Sequence, residues 1–91
     1  MNQGRAIVSV VGKDQVGIIA KVTTILAERK INILDISQTI LQDFFTMMML
    51  VDVTDLNDLE SLQLQLIELG DSLGVIINVQ LEEIFQAMQR V

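Results

Sequence analysis

The hydrophobic period of this chain switches between that of a strand and that of a helix, and the order of the switches constrains the fold most. Residues 6–11 are mostly β-branched and apolar, which predicts a buried strand ending at Gly12. Apolar residues then recur with helical spacing from Gln15 to about Lys30, which predicts a helix with Asp14 as its N-cap. The expected apolar stripe of this helix comprises Val16, Ile19, Ala20, Thr23, Leu26 and Ala27.

A strand period returns in the middle of the chain and favours a hairpin. Residues 31–41 alternate in polarity, with one predicted face made of Leu34, Ile36 and Ile40, and the other of Asp35, Ser37 and Thr39. Gln42-Asp43 is short enough to be a hairpin connection. The third strand, predicted over residues 44–53, is apolar on both faces, which fits an interior position in a sheet that is covered on both sides.

The last third of the chain predicts a second helix, a fourth strand and a short amphipathic tail. Thr54-Asp55 is expected to begin the helix, and Gly74 to end it, because glycine is favoured just past a helix C-terminus. Gly70 lies inside this helix and is expected to weaken it slightly. Residues 75–81 alternate as a strand, and residues 82–91 form the tail. The leucine stripe of the helix comprises Leu59, Leu62, Leu66, Leu69 and Leu73.

The resulting order, β-α-β-β-α-β plus a terminal helix, predicts an α+β fold of the ferredoxin-like type. Right-handed crossovers place both long helices on one face of a four-stranded antiparallel sheet with the order 4-1-3-2. We expect one domain over residues 1–91. Because the second strand is an unprotected edge and the other sheet face is open, we also expect a homodimer joined through edges, helices or that face.

The composition excludes several classes of function. Cysteine and histidine are absent, so His/Cys metal sites and Ser-His or Cys-His nucleophiles are excluded, and we expect no metal, no cofactor and no enzymatic activity. A pair of carboxylates remains the only conceivable acid–base arrangement. The net charge of −6 argues against direct binding of nucleic acid. No apolar run approaches the roughly 20 residues that a membrane span needs, and no signal peptide is visible, so we expect a cytoplasmic protein without a membrane partner.

The turn Lys13-Asp14-Gln15-Val16-Gly17 is the most informative local feature. Free backbone N–H groups at a helix start bind carboxylates well. Gly17 permits either close packing of the helix on the sheet or close approach of a ligand. On the second strand, Asp35 is either a solvated acid or a ligand-binding group.

Three stretches of the chain, in order, resemble the ACT domain family. Residues 8–19 resemble the opening of that domain in its G-x-D-x-x-G-I form, residues 32–38 its second strand and residues 44–47 its third. The resemblance covers about residues 5–81. It is closest to short, stand-alone bacterial ACT proteins and to the ACT repeats of the glycine cleavage system transcriptional repressor.

The resemblance implies a regulatory domain that binds a small molecule, often an amino acid, where the first turn of one chain meets the second strand of its partner. By position, the turn side of such a pocket would comprise Asp14, Gly17 and Ile18, and the strand side Asn32, Ile33, Leu34 and Asp35. The fused catalytic or DNA-binding domain that is usual in the family is missing here. The alternative function is a protein–protein interaction module that binds no small ligand.

Overall fold

The computed structural model describes residues 4–13 and 16–89. Over this part of the chain the element order is β-α-β-β-α-β followed by a short helix, as predicted. The elements are β1 (Arg5–Lys13), α1 (Ile18–Glu28), β2 (Asn32–Leu41), β3 (Phe44–Asp52), α2 (Leu59–Leu73), β4 (Ile76–Leu81) and α3 (Glu82–Gln89).

The four strands form one antiparallel sheet in the order β2-β3-β1-β4, which confirms the predicted ferredoxin-like topology. β3 therefore has a neighbour on each side, whereas β2 and β4 are edges. Gln42-Asp43 forms the two-residue turn between β2 and β3, and Gln42 adopts a φ of 59° there. β2 carries a bulge between Ile33 and Asp35, so that Leu34 has no counterpart on β3.

The core lies between one face of the sheet and the helices α1 and α2. Alternate residues of β1 and β3 point into it because successive strand side chains point to opposite faces. The strand residues that are buried there are Ala6, Val8, Val10, Phe45, Met47, Met49 and Val51, together with Ile77 and Val79 of β4. Full burial of one such apolar side chain stabilises the fold by about 1.5–3 kcal/mol.

The predicted apolar stripe of α1 is wrong for every member except Leu26. The buried side chains of α1 are Ile18, Val22 and Leu26, whereas Val16 is 99% exposed and Ile19 is 38% exposed. The helix carries apolar residues on two of its faces, and both faces satisfy helical spacing. The sequence pattern alone could not decide which of them covers the sheet.

The start of α1 also differs from the prediction. The helix begins at Ile18 rather than Gln15, because Gly17 takes a left-handed conformation (φ 94°) at the N-cap position. Within residues 4–13 and 16–89, no side chain caps this helix start. The assignment of Asp14 as N-cap is therefore wrong, and Asp14 itself lies outside the described residues.

The second helix begins four residues after the predicted Thr54-Asp55. The carboxylate of Asp52 accepts the N–H of Thr54 at 2.9 Å, which holds the chain in a turn at this point. Asp58 is the N-cap of α2, and its side chain accepts the N–H of Ser61 at 3.1 Å. At the other end Gly74 is the C-cap with a φ of 75°, as expected from the sequence.

Gly70 has a packing role that the sequence pattern did not reveal. A Cβ atom at this position would lie 2.7 Å from the backbone oxygen of Val75, which is closer than real Cβ atoms approach. The N–H of Val75 also donates to the oxygen of Gly70 at 2.9 Å. The expected slight weakening of α2 by Gly70 stays a prediction, and the structure adds that its lack of a side chain lets the chain turn tightly from α2 into β4.

Candidate functional site

The predicted site residues fall into two groups at opposite ends of the sheet. Gly17 and Ile18 follow the end of β1, which pairs there with the start of β3 (Lys13 opposite Phe44). Asn32, at the start of β2, pairs instead with Asp52 at the far end of β3. Eight strand residues correspond to about 26 Å, so one chain does not bring the two groups together. Asp14, the remaining member of the turn group, lies outside the described residues.

At Gly17 and Ile18, the described members of the turn group, the backbone is available to a ligand and the Ile18 side chain is not. The oxygen of Gly17 accepts the N–H of Lys21 at 2.9 Å, which closes the first turn of α1. The side chain of Ile18 is only 2% exposed and belongs to the core. The first N–H groups of a helix have no partner within the helix, so this end offers hydrogen-bond donors to an anion.

In the strand group, the side chains are accessible. Asn32 and Asp35 are exposed, Leu34 is 45% exposed, and Ile33 packs partly against the core. One carboxylate oxygen of Asp35 accepts the N–H of Ile36 at 2.9 Å, which leaves the other oxygen facing outward. Asp35 also lines a shallow depression of about 230 Å³ on the open sheet face, beside Met48.

An open groove runs beside the strand group, between α1 and the start of β2. Its volume is about 420 Å³. Its lining comprises Thr23, Thr24, Ala27, Ile31, Asn32 and Ile33. The groove supplies only one side of a binding site, because its outer side is open to solvent.

Next to this groove lies a surface to which the sequence analysis assigned no role. On α1, Thr23 and Ala27 line this groove, and the exposed Ile19 lies one turn earlier on the same face of the helix. On β2 the side chains of Ile36 and Ile40 pair with core residues of β3, yet they are 45% and 55% exposed because no helix covers this edge. We call these five residues the α1/β2 surface. The sequence did contain an indication of this surface. Its three residues on α1 all belong to the apolar stripe that was predicted for that helix.

The described chain holds no obvious metal site and no membrane span. No group of three or more potential ligands comes together within residues 4–13 and 16–89. In the same part of the chain, no helix combines the length and the hydrophobicity needed to cross a bilayer.

Comparison with known proteins identifies the family. A model of the ACT domain matches residues 5–80. A UPF0237 protein of Clostridium acetobutylicum is 54% identical over 88 residues, which is 96% of this chain and 99% of that protein. The chain is therefore similar to proteins of its own length.

Solved structures give the same result. An ACT domain protein from Streptococcus pneumoniae superposes with a TM-score of 0.79 and 44% identity, over 90% of this chain and 93% of that one. A structure assigned as a glycine cleavage system transcriptional repressor superposes with a TM-score of 0.74 over 85% of this chain and 44% of its own, and its 23% identity shows the fold alone. ACT domains are regulatory, ligand-binding domains. By its sequence and its fold, this chain belongs to the ACT domain family.

Proposed function

We propose that this chain is a regulatory domain that binds an amino acid as a homodimer and has no catalytic activity of its own. One observation supports this most directly. The two groups of site residues lie at opposite ends of one sheet, and an exposed edge strand lies beside one of them. A second copy that pairs along this edge would bring its turn group to the strand group of the first.

The edge of β2 is suited to such pairing. Between the bulge and the hairpin turn, residues 35–41 form a regular stretch without proline, lysine or arginine, the residues that commonly protect an edge. Antiparallel pairing of two copies is centred on Gln38 if it uses this whole stretch. Ile36 of one copy then lies opposite Ile40 of the other, which covers both of these exposed side chains.

The same pairing would bury the helical part of the α1/β2 surface. Ile19, Thr23 and Ala27 lie above the β2 edge, so the two copies of α1 would meet across it. Thr23 and Thr24 add no unpaired donor, since each hydroxyl already donates to the oxygen of Ala20 or Ile19. Apolar surface removed from water stabilises such a contact by about 25 cal/mol per Å² before association costs.

Antiparallel pairing also determines where the two site groups lie relative to each other along the β2 strands. With Gln38 at the centre, Asn32 lies level with position 44 of the second copy. Phe44 pairs with Lys13, next to the turn that leads to Gly17. The carboxylate of an amino acid could then accept N–H groups at the start of one α1, while its ammonium pairs with Asp35 or with backbone carbonyls of the other copy.

Calorimetric titration with each of the twenty amino acids tests this proposal. We expect at least one to bind, and to shift the monomer–dimer equilibrium toward the dimer, because a ligand held by both copies stabilises their contact. The substitution Asp35→Ala should weaken binding at least about tenfold. Asp71→Ala, which removes an exposed carboxylate from α2, is the matched control and should bind normally. The proposal would be refuted if no amino acid gave a heat of binding or a shift in the unfolding temperature.

The alternative is an interaction module that binds no small ligand. Apolar side chains that are exposed outside the α1/β2 surface favour it, notably Leu41, Phe44 and Ile76, which are 73%, 56% and 66% exposed. A second ACT domain or another ferredoxin-like domain could cover them. The same titration, together with sedimentation of the wild-type chain, distinguishes the two functions. An interaction module associates in the absence of any amino acid, and adding an amino acid leaves its association unchanged.

A further inference from the structure

The outer face of α2, which points away from the sheet, carries two apolar side chains that the fold leaves uncovered. Leu64 is 62% exposed and Ile67 is 44% exposed. They lie three residues apart, so they are neighbours on one face of the helix. The buried residues Leu62, Leu66 and Gly70 lie on the opposite face, against the sheet. Folding of this chain therefore leaves an apolar strip of α2 without a partner.

Acidic side chains surround this apolar strip. Glu60 and Glu68 lie one turn before and one turn after Leu64, and Asp71 lies one turn after Ile67. All three acidic residues are exposed. We call these five residues the outer α2 surface. It combines apolar area with negative charge on a single helix face.

The chain supplies few cations that could neutralise this surface. Residues 31–89 contain no lysine or arginine, although they hold most of the acidic residues of the chain. The ion pairs within the described residues join β1 to α3 and to the β2–β3 turn, and neither of them involves α2. The negative charge of the outer α2 surface therefore stays available to an external cation.

An open depression of about 470 Å³ lies beside Leu64, between the end of α1 and the first half of α2. Its charged lining consists of Arg29 from α1 and three carboxylates from α2. The Nε of Arg29 donates to Oε1 of Gln65 at 2.9 Å, and a terminal nitrogen donates to Oγ of Ser61 at 3.0 Å. Because the carboxylates outnumber this one cation, the depression favours a positively charged side chain as its occupant.

The spacing of the acidic residues decides what kind of occupant fits. Within residues 4–13 and 16–89, no three potential ligands converge on one point as a metal ion would require. Glu60 and Asp71 are instead separated by roughly 16 Å along the helix axis. An occupant that reaches all of the acidic residues must be extended, cationic and partly apolar. A second copy that used the same face would bring the same negative charges, and lipid surfaces and nucleic acids are themselves anionic.

We propose that the outer α2 surface binds a segment of a partner protein in which lysine or arginine residues flank apolar side chains. The apolar side chains of the segment cover Leu64 and Ile67, and its cations pair with the surrounding carboxylates. The surface shares no residue with the two site groups or with the α1/β2 surface. In addition, α2 packs near β4, at the edge of the sheet opposite β2. The proposal therefore requires neither an amino acid nor the dimer.

The test uses synthetic helical peptides as probes of the wild-type chain. One peptide is amphipathic and built from leucine and lysine, the second has glutamate in place of lysine, and the third has serine in place of leucine. Fluorescence anisotropy at about 0.15 M salt, where diffuse attraction between exposed charges is largely screened, measures binding. We expect the leucine–lysine peptide to bind, and the other two to bind at least about tenfold more weakly.

Variants of α2 locate the binding. Leu64→Ala should weaken binding of the leucine–lysine peptide at least about fivefold, because apolar contact area is lost. The double variant Glu60→Gln with Glu68→Gln should also weaken it about fivefold, because two ion pairs are lost. All of these side chains are exposed, so the fold should be retained, which circular dichroism checks.

The helix α3 offers matched controls. Ile84 is 48% exposed and Glu83 is exposed, so Ile84→Ala and Glu83→Gln remove the same chemistry from another surface. Both variants should bind the peptide as the wild type does. Equal weakening by the α2 and α3 variants would mean diffuse attraction to an acidic protein and would overturn the proposal. It is also overturned if the leucine–lysine peptide does not bind, or if Leu64→Ala reduces self-association in sedimentation, because the surface then contacts a second copy.

Discussion

The two long helices of this chain cover the same sheet, yet they differ in what their surfaces do. α2 has a buried apolar stripe centred on Leu62 and Leu66, two exposed apolar residues, Leu64 and Ile67, and a side-chain cap at its start. α1 has two apolar faces, only one of which is buried, and none of the described side chains caps its start. The face of α1 that its own sheet does not use lies beside an uncovered edge strand. The comparison indicates that α2 contributes to the folding of its own chain. The exposed face of α1 is available to the second copy that we propose.

The largest effect is expected in the core of α2. Leu66 is fully buried, so Leu66→Ala should lower the free energy of unfolding by about 2–5 kcal/mol, because the lost burial leaves a cavity. Leu64, on the same helix, is 62% exposed, and Leu64→Ala should change stability by less than about 0.5 kcal/mol. Urea unfolding followed by circular dichroism measures both. Similar losses for the two variants would mean that α2 also carries a second covered face.

The second largest effect is expected on the association of two copies when an exposed isoleucine of each helix is replaced. Ile19 on α1 is 38% exposed and Ile67 on α2 is 44% exposed, so the two are matched in accessibility. Ile19→Lys should weaken association of two copies at least about tenfold, since a charge would be buried against an apolar surface. Ile67→Lys should leave association unchanged. Sedimentation equilibrium at several protein concentrations compares them, and equal behaviour would contradict the assignment of the α1/β2 surface to an interface.

The smallest effect concerns the caps. Asp58 accepts the N–H of Ser61, and Asp58→Ala should cost about 1 kcal/mol of stability because that donor loses its partner. Asp55→Ala, three residues earlier, removes a carboxylate that caps no helix and should cost less. Thermal unfolding measures the pair. If both variants unfold at the same temperature, the cap of α2 contributes nothing and the contrast with α1 disappears.

The order of elements and the sheet topology could be predicted because they depend on features that are local in sequence. Strand alternation, the two-residue turn at Gln42-Asp43 and the glycine at position 74 each act within a few residues. The phase of α1 could not be predicted in the same way. Its two apolar faces differ only in which one meets the sheet, and the buried face, with Ile18, Val22 and Leu26, packs in a core whose other members are distant in sequence.

The start of α2 was misplaced for a related reason. Acidic residues near positions 55 and 58 are both compatible with a helix N-terminus, and only the turn closed by Asp52 shows that the first belongs to the preceding loop. The role of Gly70 depends on the oxygen of Val75, a contact that no helical pattern displays. The ligand-binding roles of Asp14, Gly17, Ile18 and Asn32–Asp35, and the extent of the domain over residues 1–91, remain predictions.

The bulge at Leu34 has a consequence for solubility. A ten-residue edge such as β2, with few charges, can template the addition of further strands and lead to aggregation. The bulge interrupts the ladder near the start of β2, so a regular added strand can match only the stretch after it. A second copy occupying that stretch by two-fold pairing leaves no β2 edge for a third. In the dimer that we propose, strand addition at β2 would therefore stop at two copies, and the limit would come from the backbone rather than from charged residues that usually guard an edge.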